Sequence, residues 1–317
     1  MRNVKESAVS NRSRRRPRSS RPPAQGPTTV RPTRHFSAVL GFLMKGEVDA
    51  IFKQTPFRLP DDPADPMAHW QRSLEGRGRL TALDPLQDGA LAPLPEGARG
   101  VAEVIKRRRT YRVHYENVAD YHFGLVPAAA LLAPQWFADL DYVDELAKKL
   151  RPEMSVGDLL DFTMPEGFIT EPIINGNEVI FSSARADLSA SPIPEVRSTG
   201  AGEFEIVVHA SCRPNYVQAA LLDGRLLLLN GVHKVLALLR RGYSTVPCLW
   251  KQVHSLEHAG LNVQTSLFAD QTFKGERPAL VIDFLNPAVA VSLTKRTTYQ
   301  VMRVQVGLNV SIVPSID

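Results

Sequence analysis

The chain has 317 residues, 44% of them apolar and 22% charged, the balance of an ordinary globular protein with ample material for a core. Its net charge of +5 is unevenly placed: residues 1–34 hold ten Lys or Arg against one acid, Glu6, a local +9, so the other 283 residues carry about −4. Overall charge therefore gives no reason to read the body as a nucleic-acid-binding surface, and two cysteines, Cys212 and Cys248, exclude a disulfide scaffold and fit a reducing, cytoplasmic setting.

Residues 1–34 (Arg14, Arg15, Arg16 and Arg18 at their centre) are rich in Arg, Ser and Pro and almost free of apolar side chains. Such a segment cannot offset its ordering entropy and is expected to be a disordered basic tail. It reads either as an arm that contacts nucleic acid or an anionic lipid, or as a solubilising leader; its Ser- and Arg-rich, acid-poor composition also matches a transit peptide. No apolar run approaches the ~20 residues that span a bilayer, so no membrane segment is expected. The longest run, Val126–Ala133, ends at Pro134.

Behind the tail, residues 35–150 read as a helical and irregular region. Phe36, Val39, Leu40 and Leu43 have helical spacing within His35–Phe52. Residues 56–100 are rich in Pro, Asp and Gly, with a short helix around Met67–Leu74. Val101–Tyr115 is a helix or a strand, and the alternation in Thr110–Tyr115 favours a strand for its second half. Trp136, Phe137, Leu140, Val143, Leu146, Ala147 and Leu150 place an amphipathic helix over Pro134–Leu150. Ser155-Val-Gly-Asp158 is a near capping box that opens a helix to Phe162.

From Phe168 the pattern turns to short strands. Asn175-Gly176 joins Glu171–Ile174 and Glu178–Ser182 as a hairpin. Residues 184–202 read as loop, and Phe204–His209, Tyr216–Leu222 and Arg225–Leu229 as strands, the last two joined at Asp223-Gly224. A short helix is expected at Ser255–Ala259, with β-prone runs at Ala279–Phe284 and Tyr299–Val313.

The richest stretch is Leu226–Trp250, a strand that passes through Asn230-Gly231 into a short helix, ends it at Gly242 and re-enters a strand at Val246-Pro247. Asn230 is a suitable N-cap and Gly231 admits close approach of a ligand to the backbone. Lys234 lies in the first helical turn, where the macrodipole disfavours a cation; an anion held there by free N–H groups and the ammonium would explain it. Asn230, Gly231, His233 and Lys234 are thus the candidate phosphate-binding residues.

These residues carry a family resemblance. The run DGRLLLLNGVHKVLALLRRGYSTVPCLW, Asp223–Trp250, resembles the ParB/sulfiredoxin-like superfamily, with Gly231, His233 and Lys234 on its Gly-x-His-Arg/Lys motif, Gly242 on its helix-ending glycine and Val246-Pro247 on the following strand. Val156–Asp161 through Gly167–Ile173 is similar to the family's short helix and next strand. The resemblance implies an α+β fold, a ParB/sulfiredoxin-like domain at 151–255 with a β-rich extension at 256–317, and a motif helix that binds a nucleotide, with Mg²⁺, in an NTP hydrolase or phosphotransferase. The chain departs from the family where Val232 replaces the sulfiredoxin cysteine, where Lys234 replaces the usual arginine, in the 45 or so residues between Pro172 and Tyr216, and in having no helix-turn-helix pattern after residue 250. The alternative is a non-catalytic binding or assembly module on the same fold. No residue stands out as a general base; Asp223 and Glu171 are the nearest in the fold pattern.

Three other constellations weigh less. His254-Ser-Leu-Glu-His258 has the HxxEH spacing of inverted zinc peptidases, but only Glu276 follows it as a third ligand, so a polar turn and no metal are expected. His114 and His122 among Tyr111, Tyr115, Tyr121 and Phe123 read as ordinary strand and loop residues rather than a binding patch. Cys212 and Cys248 read as buried thiols rather than a redox pair.

Overall fold

Strand pairing on both edges overrides the helical spacing at the start of the body. In the computed structural model, which describes residues 33–60, 65–86, 90–118, 120–166, 172–183, 188–190, 195–201, 203–207, 209–211, 214–260, 273–296 and 300–305, the chain opens with strand β1 (Thr33–Ala38). A 3₁₀ turn at Leu40–Phe42 and helix α1 (Lys45–Gln54) follow, in place of one long helix. Phe36 in β1 packs edge-on against Phe57 and Phe137, at 5.2 and 6.0 Å between centroids. Because β1 begins at Thr33, Arg34 belongs to the folded body; Arg14, Arg15, Arg16 and Arg18 lie outside the described residues.

Helix α2 (Pro66–Arg77) is capped by Asp65, whose carboxylate accepts from the Met67 N–H at 2.8 Å. After β2 (Ala92–Pro93) come α3 (Glu96–Arg107) and α4 (Arg109–Tyr115). The strand expected over Thr110–Tyr115 is therefore a helix. Its alternation misled because Tyr111 and Tyr115, four apart, share a face in a strand and in a helix alike; here they stack on Phe123 and Tyr216 respectively. Next come β3 (His122–Pro127), a 3₁₀ turn, β4 (Leu131–Leu132) and β5 (Phe137–Asp139). Helix α5 (Leu140–Ala147) starts later than its spacing suggested, because Phe137–Asp139 pairs with β1. Helix α6 (Val156–Thr163) has the expected reciprocal capping box between Ser155 and Asp158.

The hairpin β6 (Ile173–Asn175) and β7 (Glu178–Ser183) turns at Gly176, φ +60°. Short strands β8 (Ser189–Ala190) and β9 (Glu195–Gly200) occupy part of the span read as loop, β10 (Glu203–Val207) overlaps the strand expected at Phe204–His209, and β11 (Ala210–Ser211) follows it. The chain then forms β12 (Gln218–Leu222), β13 (Arg225–Asn230), α7 (Val232–Arg240) and β14 (Thr245–Gln252). Ser255–Ala259 is a turn, and Val281–Leu285 is a 3₁₀ helix rather than a strand. The buried Asp283 accounts for that difference: it accepts from the Leu280 N–H at 2.8 Å and grips Arg277 at 2.6 and 3.0 Å, which closes a helical turn. Strands β15 (Val291–Arg296) and β16 (Gln300–Gln305) complete the described chain; Glu171 and Cys212 lie outside it.

The architecture is mixed α+β. A six-stranded sheet runs β2-β3-β14-β12-β13-β4, with β14 parallel to β12 and β12–β13 a tight antiparallel hairpin. Strands from before and after residue 150 interleave in it. Two further three-stranded sheets are β15-β1-β5 and β16-β7-β6. Helices cover both faces of the central sheet. Val235, Leu236 and Leu238 of α7 join the larger core, whereas Ala98, Ala102 and Ile105 of α3 and Leu160 of α6 join a second one with Tyr216 and Leu249.

Close packing and open space separate the helical glycines. A Cβ on Gly76 would stand 1.9 Å from the Ala288 carbonyl oxygen, whereas Gly97 and Gly100 in α3 face nothing within 4 Å. Gly76→Ala is expected to destabilise the fold by more than about 2 kcal/mol, and Gly100→Ala to stabilise it by roughly 0.5–1 kcal/mol. Urea denaturation of the two variants checks both signs.

Candidate functional site

The glycine turn that joins β13 to α7 is built as the sequence suggests, and its side chains do different work. Gly231 is the residue before the first helical one, with φ +97° and ψ 22°, a left-handed conformation that other residues adopt at a cost. A Cβ there would meet Val217 Cγ2 at 2.7 Å and Val217 Cα at 3.1 Å. The glycine is thus required by backbone conformation and by the packing of the neighbouring chain. Asn230 is not the cap. It ends β13, and its amide Nδ2 donates to the Pro214 carbonyl at 3.4 Å.

Lys234 is buried, at 3% exposure. Its ammonium donates to the Thr163 carbonyl at 3.1 Å and to the Asn215 carbonyl. Thr163 is the last residue of α6, so the cation that is misplaced at the start of its own helix sits at the negative end of another. The anion that the sequence analysis placed beside Lys234 is matched by peptide dipoles of the protein itself. The Thr163 carbonyl also accepts from the Val217 N–H at 3.0 Å, so both of its lone pairs are engaged.

His233 points the other way, towards α5. Its Nε2 accepts from the Asp139 backbone N–H at 3.0 Å, and its ring meets Tyr142 edge-on at 5.4 Å. An accepting Nε2 requires the neutral ring with its proton on Nδ1. Burial, and secondarily the charge of Arg34, push the imidazole pKa down to about 4. Arg34 itself bridges Asp139 at 2.9 Å and Glu145 at 2.8 Å. Burial raises the Asp139 carboxyl above its usual range, against the Tyr142 N–H and Arg34, which lower it. His233 and Lys234, adjacent in sequence, therefore tie α7 to α5 on one side and to α6 on the other.

The remaining candidates do not gather around this turn. Asp223 is exposed at the opposite end of β13, in a left-handed turn with φ +51°. Cys248 is buried in β14, and burial raises its thiol pKa far above the ordinary range. The His254 and His258 rings stack at 5.7 Å, and no group of three metal-ligating side chains occurs among the described residues. Nor is any helix among them long and apolar enough to cross a membrane. No family model, curated protein or solved structure matches this chain.

Two measurements test the turn. Lys234→Ala removes a buried stem and two hydrogen bonds and is expected to cost about 2–4 kcal/mol in urea denaturation. Between about pH 6.5 and pH 4 the unfolded chain binds a proton at residue 233 that the fold resists, so stability falls as pH drops through that window. In His233→Gln, whose amide oxygen can still accept from Asp139, the loss of stability between pH 7 and pH 4.5 is expected to be smaller by on the order of 2 kcal/mol.

Proposed function

We propose that this chain is a non-catalytic binding module on a ParB-like α+β body, and that its partner is a nucleic acid engaged through the Arg-rich residues 1–34. The observation that carries the reading is the placement of Lys234, whose ammonium is held by the Thr163 and Asn215 carbonyls. An NTP hydrolase or phosphotransferase needs a cation on the transferred phosphate and a base for the attacking group. Here Lys234 would first have to leave the end of α6, and His233 would have to release the Asp139 N–H.

The unit formed by β13, the left-handed Gly231, α7, Gly242 at φ +81° and β14 supports the ParB-like likeness. In a module of this kind the unit is architecture: the glycine lets the chain turn over Val217, and the two polar side chains hold neighbouring helices. The binding energy comes instead from the tail, where nine cations within residues 1–31 release counterions from a phosphate backbone.

The expected result is that no nucleoside triphosphate, with or without Mg²⁺, raises the thermal midpoint. A labelled oligonucleotide, by contrast, is bound with an affinity that falls steeply as salt rises. Deleting residues 1–31, which keeps Arg34 on Asp139, is expected to weaken that binding by ~10-fold or more at 0.1 M salt. A midpoint raised by a triphosphate would return the enzymatic reading.

A further inference from the structure

Helices α3 and α4 are a basic exception in a body of net negative charge. Residues 96–115 carry six Lys or Arg, namely Arg99, Lys106, Arg107, Arg108, Arg109 and Arg112, against Glu96 and Glu103. Arg108 is turned inward, donating to the Met164 carbonyl and the Asp161 carboxylate, each at 2.7 Å. The other basic side chains that follow Ile105 are on the surface. Lys106 pairs with Glu103 at 2.7 Å and Arg112 with Glu116 at 3.5 Å, both between exposed groups and so weak in water. Arg107 and Arg109 make no ion pair among the described residues.

These cations border two separate grooves. One, of about 380 Å³, is lined by Arg107, Arg109, Arg112, Val113 and Glu116. The other, of about 350 Å³, is lined by Tyr121, His122 and Phe123 together with Arg99, Lys106 and one acid, Glu103. Cations stand near its rings: the Lys106 ammonium is 5.7 Å from the centre of Phe123, which Tyr111 stacks, and the Lys251 ammonium 5.3 Å from that of Tyr121, while the exposed His122 lies against Trp250 at 5.2 Å.

We infer that the α3–α4 face is a contact surface for a single-stranded nucleic acid, with Arg107, Arg109 and Arg112 on the phosphates and the Tyr121–Phe123 wall offered to the bases. The inference rests on the nucleic-acid reading of the chain and adds a second site, on the folded body. Charge complementarity selects a polyanion. The nearby rings select one whose bases are free to stack, since a duplex keeps its base faces covered and an acidic peptide has none.

The test is fluorescence anisotropy of the full chain with labelled oligothymidylate and oligouridylate and with a labelled duplex, across a salt series. Wild type is compared with Arg107→Ala/Arg109→Ala/Arg112→Ala and with Lys45→Ala/Lys53→Ala, two exposed cations of α1. On the single strands the triple variant is expected to flatten the slope of log K against log salt by about 2, from three contacts at roughly 0.7 each. The α1 variant leaves the slope as it is, and thermal midpoints confirm that both variants are folded. A triple variant with the wild-type slope overturns the inference while leaving a tail-driven interaction in place. Equal binding of duplex and single strands, with the same loss in the triple variant, overturns the single-strand assignment. Absence of binding by wild type removes the nucleic-acid reading itself.

Discussion

The carboxyl end of α6 is the point on which the two faces of this molecule depend. A helix that ends inside a protein leaves carbonyl groups without partners, and a buried lysine is costly without them. Here the two requirements meet: the Lys234 ammonium donates to Thr163, the last residue of α6, and to Asn215 beyond it. Arg108 adds a second cation at the same end through the Met164 carbonyl and Asp161. Two side chains from separate elements therefore close one helix terminus, and each joins that helix to another part of the fold, α7 in one case and the α3–α4 junction in the other.

The same arrangement engages the polar side chains of the glycine turn within the protein. A phosphate-binding turn leaves its donors directed outward, whereas this one is tied inward at every polar side chain. Gly231 lies over Val217, whose N–H reaches the same Thr163 carbonyl that receives Lys234. His233, one residue earlier, is fixed to the start of α5 and kept neutral by its surroundings. Removing Lys234 to serve a ligand would leave the end of α6 unsatisfied, so binding chemistry and fold stability compete for one side chain. The exposed cations near α3 and α4 face no such competition.

Much of the fold was legible residue by residue. The Ser155–Asp158 capping box, the Asn175-Gly176 hairpin and the β12–β13–α7–β14 series rest on contacts between residues close in sequence, and all appear where the spacing put them. Misreadings came where a distant partner outweighed local spacing. Phe36 and Ala38 lie in a strand because β15 and β5 flank them, and the alternation over Tyr111–Tyr115 could not distinguish strand from helix because residues four apart share a face in both. The basic α3–α4 face was hidden by averaging, since the body's net charge of about −4 says nothing about where five exposed cations, Arg99, Lys106, Arg107, Arg109 and Arg112, are displayed.

The sequence by itself determined the α+β class, the glycine turn with its helix, and the concentration of positive charge at the start of the chain, because these follow from local backbone preferences and from composition. It also posed a question, why a lysine should stand in the first turn of a helix, but could not answer it. A ligand anion and a distant helix end are electrostatically equivalent from the lysine's position. Only the tertiary structure, by bringing the Thr163 carbonyl within 3.1 Å of the Lys234 ammonium across 71 positions of chain, supplied a partner for it.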